Sequence, residues 1–494
     1  MMATVSVMLA SIMQALDNTI ANVALPRIQG SLSATQDQMA WVLTSYIIAA
    51  AIMTPLSGWL AGQLGRRRVF LLSIVGFTVA SMLCGLAQSL PEIVVARLLQ
   101  GLCGAALVPM SQAVLLDINP PEKHAHAMAI WMMGVIIGPV LGPALGGWLT
   151  ENYNWRWVFY INVPFGVLAF FGILASMPET LIRKSRFDFF GFLALSCMVG
   201  ALQLTLDRGQ LKDWFSSTEI WIEATVTVVA LYLFVVHMAT TTKAPFVSPA
   251  LFKDRNFLAG TIMIFLVGAI LFSTLALLPP LLEDILNYPV VTTGFVTAPR
   301  GMGTLVAVLI VGRISGKVDV RLIIGGGFAL TAFAMAAMTN FDLQMNAATV
   351  VWSGIAQGLG TGFVFVPLAA ACFATLAPVL RDEGTAIFSL MRNMGSSVGI
   401  SVVETLLTRN TQIMHSTLAE HVNRYSPILR SQLHGELPSL TMLAGLNASV
   451  TRQAAMIAYN DDFKLMMVLS LAAIPFVFLL SKGGAGSGAR LAVE

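Results

Sequence analysis

Asp17 and Arg97 each interrupt a run of apolar residues long enough to cross a lipid bilayer. An ionisable side chain inside such a run costs about 2.5–3.5 kcal/mol even on the lenient insertion scales, so it needs a partner or a task. Asp17 lies nine residues before Pro26, and Arg97 lies six residues after Pro91. At the helical rise these offsets correspond to about 13 Å and about 9 Å below the same surface. An ion pair forms if the two helices are neighbours. A guanidinium favours the ionised carboxylate and a low dielectric favours the neutral acid. Moving Arg97 towards or away from Asp17 therefore releases or loads a proton, which is chemistry that can couple proton flow to a change of shape. The competing reading is a permanent pair that fixes helix packing.

Other polar groups share these runs. Arg300 sits near mid-depth between Pro299 and Gly301, where it must face a cavity or another helix. Arg392 is close enough to a helix end to snorkel in part, and Glu404 and Glu223 fall near outer ends. Arg300, Arg392, Glu404 and the amides Asn18, Asn22, Gln100 and Gln357 are candidate lining residues of a substrate cavity. Deep in the runs, Arg97, Arg300 and Arg392 face one clear carboxylate, Asp17. That balance favours neutral or weakly acidic lipophiles, such as fatty acids, uncouplers and acidic antibiotics, over dications.

The elements that must hold these groups follow from composition. Of 494 residues, 56% are hydrophobic and only 11% charged, with a mean hydropathy of +0.79. A soluble domain carries roughly a quarter charged residues, and no soluble fold hides so much apolar surface. The net charge of +3 is too small to imply a nucleic acid partner. A bilayer core of about 30 Å needs roughly 20 apolar residues per helix. That ruler marks fourteen spans, at 4–25, 40–62, 69–88, 91–114, 125–149, 156–177, 187–207, 219–239, 257–282, 290–312, 321–339, 346–373, 384–407 and 460–481. The runs are too long and too uniform for barrel strands, so the chain is an all-α integral membrane protein. Lys and Arg concentrate on the side that holds both termini, which places the termini in the cytoplasm. The long segment 408–459 then becomes an outer loop with helical stretches broken at Pro427 and Pro438. No nucleotide loop is present, because GRISGK at 312–317 has the wrong spacing and Val318 follows it. The cysteines and histidines have no metal-site or nucleophile spacing, so no metal, cofactor or enzymatic chemistry is expected.

Two glycine patterns stand out. Gly134, Gly138, Gly142 and Gly146 recur every four residues in the fifth span, beside Gly147 and interrupted by Pro139 and Pro143. Small residues at this spacing let helices approach closely, and the prolines allow bending. The stripe is either a packing face or a sliding hinge. Between the second and third spans, Gly58, Gly65, Arg66, Arg67 and Arg68 make a tight basic turn, either a membrane anchor or a charge clamp on a neighbouring helix end. The chain also echoes itself. RLLQGLCGAALVP from Arg97 matches GIAQGLGTGFVFVP from Gly354, and the basic turn matches VGRISGKVDVR from Val311. The offset of eight spans divides the chain into a six-helix bundle at 1–180, two inserted helices at 181–245 and a second bundle at 246–494.

These residues resemble a known family. LDNTIANVALP from Leu16, RLLQGLCGAALVP, GPVLGPALGGWLTENYNWRWVFYINVPFG from Gly138 and LDRGQLKDWFSS from Leu206 are similar to the motifs of the fourteen-helix drug:proton antiporters of the major facilitator superfamily, most closely the EmrB-type exporters. The resemblance implies a major facilitator fold and export driven by the proton gradient without a cofactor. It implies Asp17 and Arg97 as proton-coupling positions and the helix-5 stripe as the antiporter motif. It also implies a tripartite assembly with a periplasmic membrane-fusion adaptor and an outer-membrane channel, with 408–459 as the candidate contact. The chain departs from the superfamily at Gly62, where an Asp is usual, so the charge relay of that turn does not carry over. Two rival readings are a proton symporter importing a small metabolite and a membrane receptor without transport.

Overall fold

The computed structural model describes residues 2–120, 123–179, 182, 186–241, 245–314, 317–422 and 440–480. Its long helices are α1 (Met2–Leu32), α2 (Gln36–Leu64), α3 (Arg66–Leu86), α4 (Leu90–Ile118), α5 (His124–Asn152), α6 (Trp157–Ser176) and α7 (Phe189–Arg208). They continue as α8 (Thr218–Thr240), α9 (Arg255–Pro280), α10 (Val291–Ile314), α11 (Val320–Met338), α12 (Ala347–Ala374), α13 (Arg381–His421) and α14 (Leu440–Ala473). Twelve of these carry an unbroken window long and apolar enough to cross a membrane. The other two are α1, with 31 residues, and α5, with 29. Gln14, Asp17, Asn18 and Asn22 make α1 the less apolar of its neighbours. Fourteen helices of spanning length make this a multi-pass membrane protein.

Local sequence sets several boundaries. Asp188, Asp254, Asp319 and Asn346 each accept a backbone N–H of the following first turn, which satisfies donors that a helix start leaves free. Pro91 opens α4, where its missing N–H costs nothing. Gly65 joins α2 to α3 with φ of 85°, a conformation that a side chain disfavours.

Helix pairings repeat with an offset of eight. Contacts of α1 with α5 and α6, of α2 with α4, and of α3 with α4 and α6 recur as α9 with α13 and α14, α10 with α12, and α11 with α12 and α14. The first six helices meet the last six where α2 and the end of α4 touch α13, and where α5 touches α10 and α12. Helix α7 lies against α2 and α13, whereas α8 packs on α7. Only 6% of the apolar window of α8 is buried by protein. A helix apolar on all sides and so little covered needs lipid around it.

The expected outer loop is mostly helix. Residues 408–421 continue α13, which runs 41 residues, and residues 440–459 belong to α14, which runs 34. At the helical rise α13 is about 60 Å long, twice the hydrocarbon core. The two extensions pair as a hairpin, and His415 Nε2 lies 3.0 Å from Asn447 Oδ1. Polar side chains exclude these stretches from lipid but not from a helix, and apart from Gly445 they contain no Gly or Pro. The predicted breaks at Pro427 and Pro438 lie outside the described residues. Below, the hairpin end is the end holding these extensions, and the turn end is the one holding Gly65.

Candidate functional site

Asp17 of α1 and Arg97 of α4 meet. Arg97 Nη1 donates to Asp17 Oδ2 at 2.6 Å, with side chains 1% and 0% exposed. Gln100, one turn beyond Arg97, donates from Nε2 to Asp17 Oδ1 at 2.8 Å and accepts from Arg97 Nη1 at 2.8 Å. Asn162 of α6 donates to the same Oδ1 at 2.7 Å and to Ser81 Oγ at 2.9 Å. Arg97 Nε donates to the Val42 carbonyl at 3.1 Å, and its guanidinium lies 4.3 Å from the centre of the Tyr46 ring. Five of the six helices of the first bundle thus close on one carboxylate. An ionised carboxylate only accepts, so three converging donors fit it without conflict. A buried pair is held together only when such extra hydrogen bonds satisfy its remaining atoms.

Sequence reasoning found Asp17, Arg97 and Gln100 but not Asn162 or Tyr46. Asn162 stands at the start of a helix in a Trp- and Tyr-rich stretch and reads as an interfacial residue. Its signal was its place in the motif stretch WRWVFYINVPFG, whose other residues drew attention first.

The cavity candidates separate. Asn18 and Asn22 are exposed. Arg300 is 7% exposed, donates from Nη2 to the Leu271 carbonyl at 3.2 Å, and has no partner for Nη1 among the described residues. Gln357, at the repeat position of Gln100, is fully buried with both amide atoms unpartnered among the described residues. Arg392 is half-buried, and among the described residues its guanidinium hydrogen-bonds only its neighbour Asn393, at 3.3 and 3.4 Å. Glu404 is exposed. The expected charge balance needs correction. Asp462 of α14 is also buried, at 1% exposed, and Asp207 at the end of α7 is half-buried, accepting from Thr44 Oγ1 at 3.0 Å and Gln203 Nε2 at 2.8 Å. Both were read as span ends, and helix packing covers them.

The glycine stripe of α5 faces α1. A Cβ on Gly138 would stand 2.8 Å from backbone atoms of Ala15 and Leu16, and Gly134 and Gly146 meet Met8 and Ile20. Thr19 Oγ1 donates to the Gly138 carbonyl at 3.2 Å, while Gly147 has open space beside it. The stripe therefore seats the helix that carries Asp17, inside its own bundle. The side chains of Pro139 and Pro143 lie outside the described residues.

At the turn end only one of the three arginines bridges the bundles. Arg66 pairs with Asp117 at the end of α4 and, at 2.6 Å, with Asp382 in the first turn of α13. Arg381 joins them through Asp117 at 2.7 Å, which makes a chain of four charges. Gly58 packs against the backbone of Asp382 and Glu383. Arg67 donates instead to the Leu174 carbonyl at 2.6 Å, and Arg68 is exposed. Arg66 thus finds its acids on α4 and α13. His124, beside this charge chain, is pushed below the usual histidine range by burial and by the Arg381 charge.

Twelve helices in two bundles related by an eight-helix offset, two more helices between them in sequence and an ion pair buried in the first bundle define a two-bundle transporter fold. The Major Facilitator Superfamily profile matches residues 7–400, and the chain belongs to that superfamily and to its EmrB-like group. It is 36% identical to the multidrug export protein EmrB of Escherichia coli over 99% of this chain and 97% of that one. It is also 36% identical to the fatty acid resistance protein FarB of Neisseria gonorrhoeae, over 98% and 97%. Among solved structures, the human organic anion transporter MFSD10 superposes with a TM-score of 0.61 at 15% identity, covering 95% of this chain and 99% of that one. The proton:xylose symporter XylE gives 0.61 at 12%, covering 94% of each. At such identities these two show the shared fold alone.

Proposed function

We propose that this protein is a proton-driven exporter of neutral or weakly acidic lipophilic compounds across a bacterial inner membrane. The observation that carries this reading is the buried Asp17–Arg97 pair. Protonating Asp17 removes the charge that holds Arg97, and α1 and α4 are then free to change their contacts. The charge chain at the turn end ties the bundles together on that side, so this state is closed at the turn end. Protons enter at the hairpin end, and the two bundles rock about the α2–α13 and α5–α10 seams to expose the substrate to the other side. The basic loops support a cytoplasmic turn end. Two relatives named for multidrug export and for fatty acid resistance, at equal identity, support lipophilic and acidic cargo. Arg300, buried with an unpartnered Nη1 among the described residues, supports acidic cargo from the side of the protein. No cofactor is required beyond the proton gradient.

The test is efflux of a dansyl-labelled undecanoate from proteoliposomes under an imposed pH gradient. Wild type is expected to export it against its gradient, Asp17→Glu to export more slowly, and folded Asp17→Asn to equilibrate it without accumulation. Accumulation by Asp17→Asn equal to that of wild type would remove Asp17 from the coupling step.

The hairpin extends the proposal to partners. Its two helices project beyond the bilayer on the side where a periplasmic adaptor feeding an outer-membrane channel would bind. Shortening both extensions by the same two helical turns is expected to abolish co-purification with a co-expressed adaptor while leaving proteoliposome efflux intact. Unchanged co-purification would exclude the hairpin as the contact.

A further inference from the structure

The second bundle has no counterpart of the Asp17–Arg97 pair, because Gly354 stands at the repeat position of Arg97. It does hold a buried acid elsewhere. Asp462 of α14 is 1% exposed, and neither carboxyl oxygen has a hydrogen-bond partner among the described residues. Two residues earlier, Asn460 donates to the Phe341 carbonyl in the α11–α12 connection at 2.9 Å. That contact fixes Asp462 about 3 Å inside the hairpin-end boundary at the helical rise.

Among the described residues, the groups around Asp462 offer it no counter-charge. On α14 these are Tyr459, which is buried, and Asp461, which is exposed, while Lys464 is exposed on another face of the helix. The segment after α9 adds Glu283 and Asp284, and α13 adds Glu404; α11 has no charged residue at this end. Asp461 acts electrostatically on Asp462, and Asp284, Asp462 and Glu404 all act on Tyr459. An isolated carboxylate anion shut away from water, with like charges nearby and no donor, costs several kcal/mol or more. The neutral acid is the form that fits.

The neighbouring backbone departs from α-helical geometry. After Pro279 and Pro280, α9 passes into a single π turn, Leu281–Ile285, which packs against α14. Such turns mark functional sites more often than chance and leave backbone groups loosely held. This one carries Glu283 and Asp284 towards the surface beside the buried acid.

We propose that Asp462 is a second proton carrier, which holds a proton in this conformation and exchanges it with the hairpin-side solution when the π turn of α9 reseats. Its protonation is a statement about this chain alone; its use in transport rests on the proton-driven reading above. Coupling would then draw on both bundles, through a paired acid in the first and an unpaired acid in the second.

Infrared difference spectroscopy of the purified full-length protein in lipid nanodiscs tests the protonation directly. At neutral pH, wild type is expected to show the C=O stretch of a buried un-ionised carboxylic acid. Asp462→Asn, which preserves the shape of the neutral acid, should lose that band; Asp462→Glu should keep it at a shifted position, and Asp17→Asn should leave it unchanged. A band that survives in Asp462→Asn, or its absence from wild type, overturns the proposal. The transport arm uses proteoliposomes loaded with dansyl-labelled undecanoate. Losing one coupled proton is expected to lower the accumulation ratio of Asp462→Asn by about tenfold per imposed pH unit, and an unchanged ratio overturns the carrier role. Failure of wild type itself to respond to the gradient would instead defeat the antiport reading, and the infrared arm would still decide whether Asp462 holds a proton.

Discussion

Arg97→Met is expected to lower the free energy of unfolding by about 3–5 kcal/mol, the cost of breaking a buried ion pair from one side. The substitution keeps the volume of the stem and removes the 2.6 Å bond to Asp17, the bond to the Val42 carbonyl and the contact with the Tyr46 ring. It leaves a fully buried carboxylate with only the Gln100 and Asn162 amides as donors. A second change, Asp17→Asn on the Arg97→Met background, removes the stranded charge. The double variant is expected to regain about 2 kcal/mol relative to Arg97→Met, within the range measured for groups in direct contact. Thermal unfolding in detergent, followed by tryptophan fluorescence, measures both differences. Loss of less than about 1 kcal/mol by Arg97→Met would mean that Asp17 takes up a proton readily when its partner leaves. The pair would then be a labile switch with little part in holding α1 to α4.

The pair was legible because depth can be counted from prolines: about 13 Å and about 9 Å from the ends of their spans become one hydrogen bond once α1 and α4 are neighbours. What counting could not supply was the third side of the site. Asn162 reaches Asp17 from α6, and a lone Asn at a helix start carries no periodic signal. The glycine stripe was equally visible, but a row of small residues shows only that some helix comes close; that α1 is the helix depends on the packing of the whole bundle. The segment 408–459 was expected to hold helical stretches, but that they continue α13 and α14 without a break was not legible. Hydropathy measures preference for lipid, and the helical rise continues past the lipid boundary wherever no breaker stops it. Asp462 stayed hidden because a residue at the expected start of a span looks solvated. The three arginines after Gly65 looked equivalent in sequence, and only the exit from the turn aims Arg66 at the second bundle.

That aim makes Asp117 the residue whose loss is expected to shift the conformational equilibrium most. Asp117 receives both Arg66 and Arg381, so Asp117→Asn removes two ion pairs at once and leaves two guanidinium groups near one carboxylate, Asp382. All four side chains are between 12% and 29% exposed, a range in which solvent screens the interaction only in part. A coupling of about 1–3 kcal/mol would move the ratio of the two end states by roughly 5- to 150-fold. Spin labels at the exposed positions Arg68 and Val379, with the exposed native Cys197 replaced by serine, report the separation of α3 from the start of α13. Wild type is expected to give one short distance and Asp117→Asn a second, longer population. Glu179→Gln is the control, because its approaches to Arg67 and Arg68 are 4.0 Å and stay within the first bundle. Equal distance distributions in wild type and Asp117→Asn would show that the seam is held by helix packing, such as Gly58 against Glu383, and that the charges only orient the arginines around it.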